Sequence, residues 1–153
     1  EPLARALRQG GRSFMLYDPK SAFPAEDPDG STLGGASVTI DSIDADNKRL
    51  TLDGLPFGYT LTRGDMLSFA YGSPARYALH EVVTDSVTVL ANPGPSPLFE
   101  VQPFIQPGAA VGAAVTLIRP ACKAVLVPGS FRRGSRGPVL REGFSFVARQ
   151  TLR

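Results

Sequence analysis

The sequence predicts an all-β fold, an antiparallel sandwich or small barrel, possibly with an inserted barrel of oligonucleotide/oligosaccharide-binding type, plus one short N-terminal helix. Three observations carry this. Short segments of alternating apolar and polar residues recur at a spacing of about ten residues. The 16 glycines and 14 prolines lie scattered between those segments, as turn punctuation does. The stretch from Leu55 to Tyr71 then shows the pattern at its clearest. Thr60, Leu61 and Thr62 alternate, Arg63-Gly64-Asp65 makes a tight corner, and Leu67, Phe69 and Tyr71 alternate with Ser68 and Ala70.

Taken in order, Pro2 to Gln9 reads as the helix. Pro2 suits an early helical position, Leu3 and Leu7 share a face, and Gly10-Gly11 ends it. Ser13 to Tyr17 is a strand. Asp18 to Gly35, rich in Pro, Asp, Gly and Ser, is expected to be an exposed loop, long enough to be functional or ordered by a partner. Val38, Ile40 and Ile43 are the inward residues of the next strand. Asp44-Ala45-Asp46-Asn47 supplies hairpin chemistry, because Asp and Asn tolerate left-handed backbone angles. Leu50 and Leu52 share a face beyond it. Further strands cover 66–71, 77–83, 86–91, 98–102, 114–118, 123–127 and 144–151. Phe131 to Gly137 reads as a loop, mobile unless a partner orders it. An inserted β-barrel subdomain is expected over residues 30–120, between segments 1–29 and 121–153, with Ser13–Tyr17 and Phe144–Thr151 pairing with each other. The expected barrel core is Leu61, Leu67, Phe69, Leu79, Val82, Val87, Val89, Phe99 and Val101.

With 153 residues, 42% of them hydrophobic, the chain is the size of one domain with one real core. No run of about 18 apolar residues is present, so no membrane-spanning helix is expected. The chain opens on Glu1, and no signal-peptide pattern is seen. Cys122 is the only cysteine, which excludes an internal disulfide and a cysteine-built zinc site. Net charge is +2, but it is unevenly spread. Residues 1–118 hold 8 basic and 13 acidic residues, net −5, and residues 119–153 hold 8 basic residues and only Glu142, net +7. Such blocks mark interaction surfaces without naming the partner.

Chemistry-bearing constellations are sparse. His80, the only histidine, lies in a strand where Glu81 points to the opposite face, so it reads as a surface or structural residue. Cys122 beside Lys123 reads as a small buried hydrophobe. Asp44, Asp46 and Asp53 invite a calcium loop. Counted from Asp44, however, the fifth, sixth and twelfth positions hold Lys48, Arg49 and Leu55, where oxygen, glycine and glutamate are required. Arg63-Gly64-Asp65 reads as a corner between strands. Neither Gly34-Gly35 nor Gly108–Gly112 precedes Gly-Lys-Ser/Thr. No catalytic site, metal site or cofactor is expected, and the chain reads as a non-enzyme.

The ordering of motifs resembles a segment of the distal-tail or minor tail proteins of long-tailed bacteriophages. The resemblance rests on Leu7 to Pro19, Leu52-Asp53-Gly54-Leu55-Pro56, Leu61-Thr62-Arg63-Gly64-Asp65, Val101-Gln102-Pro103, Pro107-Gly108 and Val115-Thr116-Leu117. It covers roughly residues 3–127. The arginine-rich stretch from Arg132 to Arg141 has no counterpart, and such proteins usually carry a further strand segment before the helix.

The resemblance implies a structural component of a virion tail tip, assembled in the host cytoplasm as a six-membered ring that joins the tail tube to hub or fibre proteins. No membrane or nucleic-acid partner is implied. A ring needs two different patches on each subunit. Asp27 and Asp29 in one arm, and Arg132, Arg133, Arg136 and Arg141 in the other, are the expected subunit-interface residues. The alternative is a stand-alone barrel that binds nucleic acid or carbohydrate. In that reading Tyr59, Phe69, Tyr71 and Tyr77 offer stacking surfaces, and Arg132, Arg133 and Arg136 contact phosphates. A cryptic hydrolase site around His80 is a third reading.

Overall fold

The computed structural model describes residues 12–90, 94–132, 135–136, 141–143 and 145–151. Its strands are β1 (Ser13–Leu16), β2 (Thr39–Ile43), β3 (Arg49–Asp53), β4 (Thr60–Thr62), β5 (Met66–Tyr71), β6 (Arg76–Val82), β7 (Ser86–Thr88), β8 (Phe99–Gln102), β9 (Val115–Thr116), β10 (Cys122–Leu126), β11 (Ser135–Arg136), β12 (Arg141–Glu142) and β13 (Ala148–Gln150). No α-helix occurs among the described residues. One 3₁₀ turn, Pro19–Ser21, is capped by Asp18, whose carboxylate accepts the Lys20 N–H at 2.9 Å. The expected helix over Pro2–Gln9 falls outside the described residues.

The chain divides into two compact units, Tyr17–Cys122 and Glu1–Leu16 with Lys123–Arg153. The first is a six-stranded antiparallel sheet in the order β2-β3-β8-β6-β5-β9. Its two edges meet. Thr39 bridges Ala114, Val115 donates to the Val38 carbonyl at 2.9 Å, and Ile40 donates to Ala113 at 3.0 Å. The sheet is thereby a nearly closed barrel, and closure removes the exposed edges that invite aggregation.

Inside lie Ile40, Leu50, Leu52, Leu67, Phe99 and Val101, all buried. Burying each such side chain contributes about 1.5–3 kcal/mol. Of the expected core, every residue but Leu79 belongs to this cluster. Strict alternation along β6 turns Ala78, His80 and Val82 inward and leaves Leu79 half-buried on the other face. Ile40 and Ile43, three residues apart, both reach the core because the β2–β3 register slips between Ile40 and Ser42. The extra residue of that bulge, Asp41, stays outside and accepts the Thr51 hydroxyl at 2.8 Å.

β4 and β7 pair as a short ribbon that continues the β5–β6 hairpin. Thr60 opposes Thr88 and Met66 opposes Glu81, six residues on one arm against seven on the other. The mismatch falls at Arg63-Gly64-Asp65, where the ribbon bends. Gly64, at φ +94°, donates to the Val82 carbonyl at 3.0 Å, and Val82 donates back to Asp65 at 2.8 Å. Left-handed backbone at that corner suits glycine.

In the other unit β10 lies between β1 and β13. The expected direct pairing of the first strand with the last is therefore corrected, since both flank Cys122–Leu126. Phe14 and Phe146 meet edge to face at 6.4 Å between ring centres. The stretch read as a loop contains β11, which pairs with β12 so that Arg136 stands opposite Arg141.

Candidate functional site

The long segment after β1 is tied down from within by two buried carboxylates. Asp27 Oδ1 accepts the Thr32 N–H and Oδ2 accepts the Leu33 N–H, each at 3.0 Å, and Oδ2 also accepts the Tyr59 hydroxyl at 3.3 Å. Asp65 reaches the same segment, its Oδ1 accepting the Ala25 N–H at 2.8 Å while Oδ2 takes the Thr62 N–H at 2.7 Å. Burial pushes the Asp27 carboxyl upward, but the bonds from Leu33, Thr32 and Tyr59 outweigh it and hold the group below the usual carboxylate range. Burial, and then the Asp27 charge, hold the Tyr59 hydroxyl well above its ordinary value.

This corrects two expectations. The 18–35 segment is not simply an exposed loop, and Asp27, 1% exposed, presents nothing to a neighbour. Asp29 is exposed and caps its own turn through the Ser31 N–H at 3.0 Å. Asp65 is likewise buried, so the Arg63-Gly64-Asp65 corner displays only its arginine, which pairs with Asp85 at 2.6 Å.

His80 is fully buried. Its ring stacks on Phe69 with centres 4.7 Å apart and planes 9° from parallel. Nδ1 stands 2.7 Å from the Pro103 carbonyl, which can only accept, so Nδ1 carries the proton and Nε2 is a bare lone pair without a partner. Burial lowers its pKa, and the Pro103 bond offsets this only in part. A histidine so placed packs and cross-links.

Cys122 is buried, and burial raises its thiol pKa, the opposite of an activated nucleophile. Asp44 and Asp46 both pair with Arg49 across the β2–β3 turn, and Asp53 lies at the far end of β3. Among the described residues no group of three or more His, Cys, Asp or Glu side chains is placed to hold a metal.

The stacking residues of the binding-module reading are mostly interior. Tyr59, Phe69 and Tyr71 are buried, and only Tyr77, 39% exposed, faces solvent. Of the expected basic interface residues, Arg132 is exposed and its backbone pairs with Ser145 through bonds of 2.8 and 3.2 Å. Arg136 and Arg141 are the register partners already noted. Arg133 lies outside the described residues.

Sequence reasoning passed over one pair. Tyr71 and Arg76 oppose each other at the tip of the β5–β6 hairpin, on the strand faces that carry Phe69, Ala78 and His80. The Tyr71 hydroxyl and Arg76 Nε are both buried without a hydrogen-bond partner. A signal was present: Arg76 is the only Lys, Arg, Asp or Glu between residues 66 and 80, and none occurs between 101 and 118.

The units carry opposite charge. Tyr17–Cys122 holds six basic and twelve acidic residues, net −6, and the other unit holds ten basic and two acidic residues, net +8. No family model, curated protein or solved structure matches this chain.

Proposed function

We propose that this chain is a non-catalytic structural subunit of a bacteriophage tail tip, assembling head to tail into a six-membered ring between the tail tube and hub or fibre proteins. The observation that carries the reading is the charge segregation, −6 on the barrel and +8 on the flanking unit. A heterologous interface needs two unlike, complementary patches on every copy. Opposite charge on the two compact units supplies them, and it favours encounter and register more than affinity. Arg132 and the register partners Arg136 and Arg141 sit in the basic unit, which an acidic partner surface would complement. Asp29 is the member of the expected acidic pair that remains at the surface.

Size-exclusion chromatography with light scattering, run from low to high salt, tests this. The expected result is a particle of six 16.2 kDa protomers at low salt, with slower assembly or dissociation as screening rises. A monomer at every salt concentration would overturn the proposal.

A further inference from the structure

We infer that the inner face of the β5–β6 hairpin tip is a binding site for an oxyanion, a phosphate or carboxylate group, held by Arg76 and Tyr71. Directly opposed residues of an antiparallel pair stand about 4.5–5.5 Å apart at their β-carbons. Tyr71 and Arg76 therefore leave the sheet side by side, on one face. Tyr71 is 4% exposed, and its hydroxyl has no partner. Arg76 is half-buried, its Nε is buried and unpartnered, and it forms no ion pair among the described residues. An unpaired buried donor is unfavourable, and an unpaired guanidinium more so.

Neither the hairpin itself nor the segment laid along it supplies a countercharge. The hairpin from 66 to 80 and the segment 101–118 contain no acidic residue. That second segment covers the hairpin. Pro103 is fastened to His80, and Gly108 accepts the Gly72 N–H at 3.0 Å. His80 is the register partner of Leu67, and Leu67 to Gly72 spans as many residues as Pro103 to Gly108. The strap thus runs the length of the hairpin tip. Between its anchors, residues 104–107 make no hydrogen bond to the hairpin, and Ile105 donates instead to Asn47 at 2.8 Å. Arg76 Nη1 curls over the turn, 3.7 Å from where a β-carbon on Gly72 would stand. An oxyanion arriving at Arg76 meets a planar fork of donors suited to two acceptor oxygens, and the buried phenol O–H on the neighbouring strand is the unsatisfied donor behind it. On a barrel of net charge −6, this is a cation without an anion of its own.

The test uses the full chain at constant ionic strength, with inorganic phosphate and acetate titrated separately against chloride. The Arg76 Nε–H resonance is followed by ¹H–¹⁵N spectroscopy, and the melting temperature is recorded in parallel. Saturable movement of that resonance is expected, with a melting rise of roughly 3–5 °C at about ten times the dissociation constant. A response to phosphate alone assigns a phosphate site, and a response to both assigns a carboxylate-tolerant one. Arg76→Gln should abolish the melting response, and Tyr71→Phe should weaken binding roughly 2- to 10-fold. A resonance unmoved by either anion, or a melting response undiminished in Arg76→Gln, would overturn the assignment. The resonance is read in the unaltered chain, so the test survives a variant that fails to fold.

Discussion

His80 donates from Nδ1 to the Pro103 carbonyl across 2.7 Å, and that bond decides which nitrogen of the only histidine is left facing the interior. Protonation has to occur at Nε2, which is buried and has no acceptor. The folded state therefore resists the proton, and its pKa lies below the usual 6.5. The unfolded chain takes up the proton at the ordinary value. Stability is fully present above about pH 6.5 and falls as pH drops from there toward the lowered folded pKa. Urea midpoints measured from pH 7.5 to 5 should decline in the unaltered chain and stay flatter in His80→Phe. Equal slopes would refute this account of the ring.

Asp27 predicts a second, more acidic transition. Its folded pKa lies below 3.8, so the stability it contributes is present above that value and is lost as pH falls through the lowered one. Asp27→Ala strands the Thr32 and Leu33 N–H groups and the Tyr59 hydroxyl, and is expected to cost about 2–4 kcal/mol. Tyr59→Phe removes only one bond and should cost about 0.5–1.5 kcal/mol. A double-mutant cycle in urea should show strong non-additivity, because both changes delete the same bond.

Gly54 closes the end of β3 at φ +84°, and a β-carbon there would run into the Ser37 carbonyl oxygen and crowd its carbon at 3.1 Å. Backbone strain and overpacking act together, so Gly54→Ala should destabilise by about 2–4 kcal/mol. Gly58 also has positive φ, at +79°, but nothing lies within 4 Å of the added carbon. Gly58→Ala should therefore cost only the backbone part, about 1–2 kcal/mol. Thermal denaturation of the two variants side by side separates crowding from conformation.

Cys122 is buried, and its thiol is held in the protonated form by that burial. Reaction with a thiol-exchange reagent at pH 8 should be at least about tenfold slower in the native chain than in the urea-unfolded one. Similar rates would mean that the thiol is open to solvent.

Much of the barrel is legible along the chain because sheet structure writes itself in period two. Leu67, Phe69 and Tyr71 on one strand, and Leu50 and Leu52 on another, name their own inner faces, and the punctuating glycines mark where the chain reverses. The sequence by itself also determined that positive charge gathers at the C-terminal end, with eight basic residues against one acidic over 119–153. What it could not carry was phase and pairing. Leu79 looks like a core residue, yet β6 turns His80 inward instead, since only pairing with β5 and β8 settles which of two alternating sets is buried. The 18–35 segment looks solvent-exposed by composition. Asp27 and Asp65 bury themselves to organise it, because a carboxylate that gathers backbone donors is stable inside where a bare one is not. The Tyr71–Arg76 pair exists only through register: two residues five apart in sequence become one site when a hairpin folds them face to face and a strap from beyond residue 102 brings no countercharge. Local chemistry selects the elements, and long-range closure selects which side of each element the solvent sees.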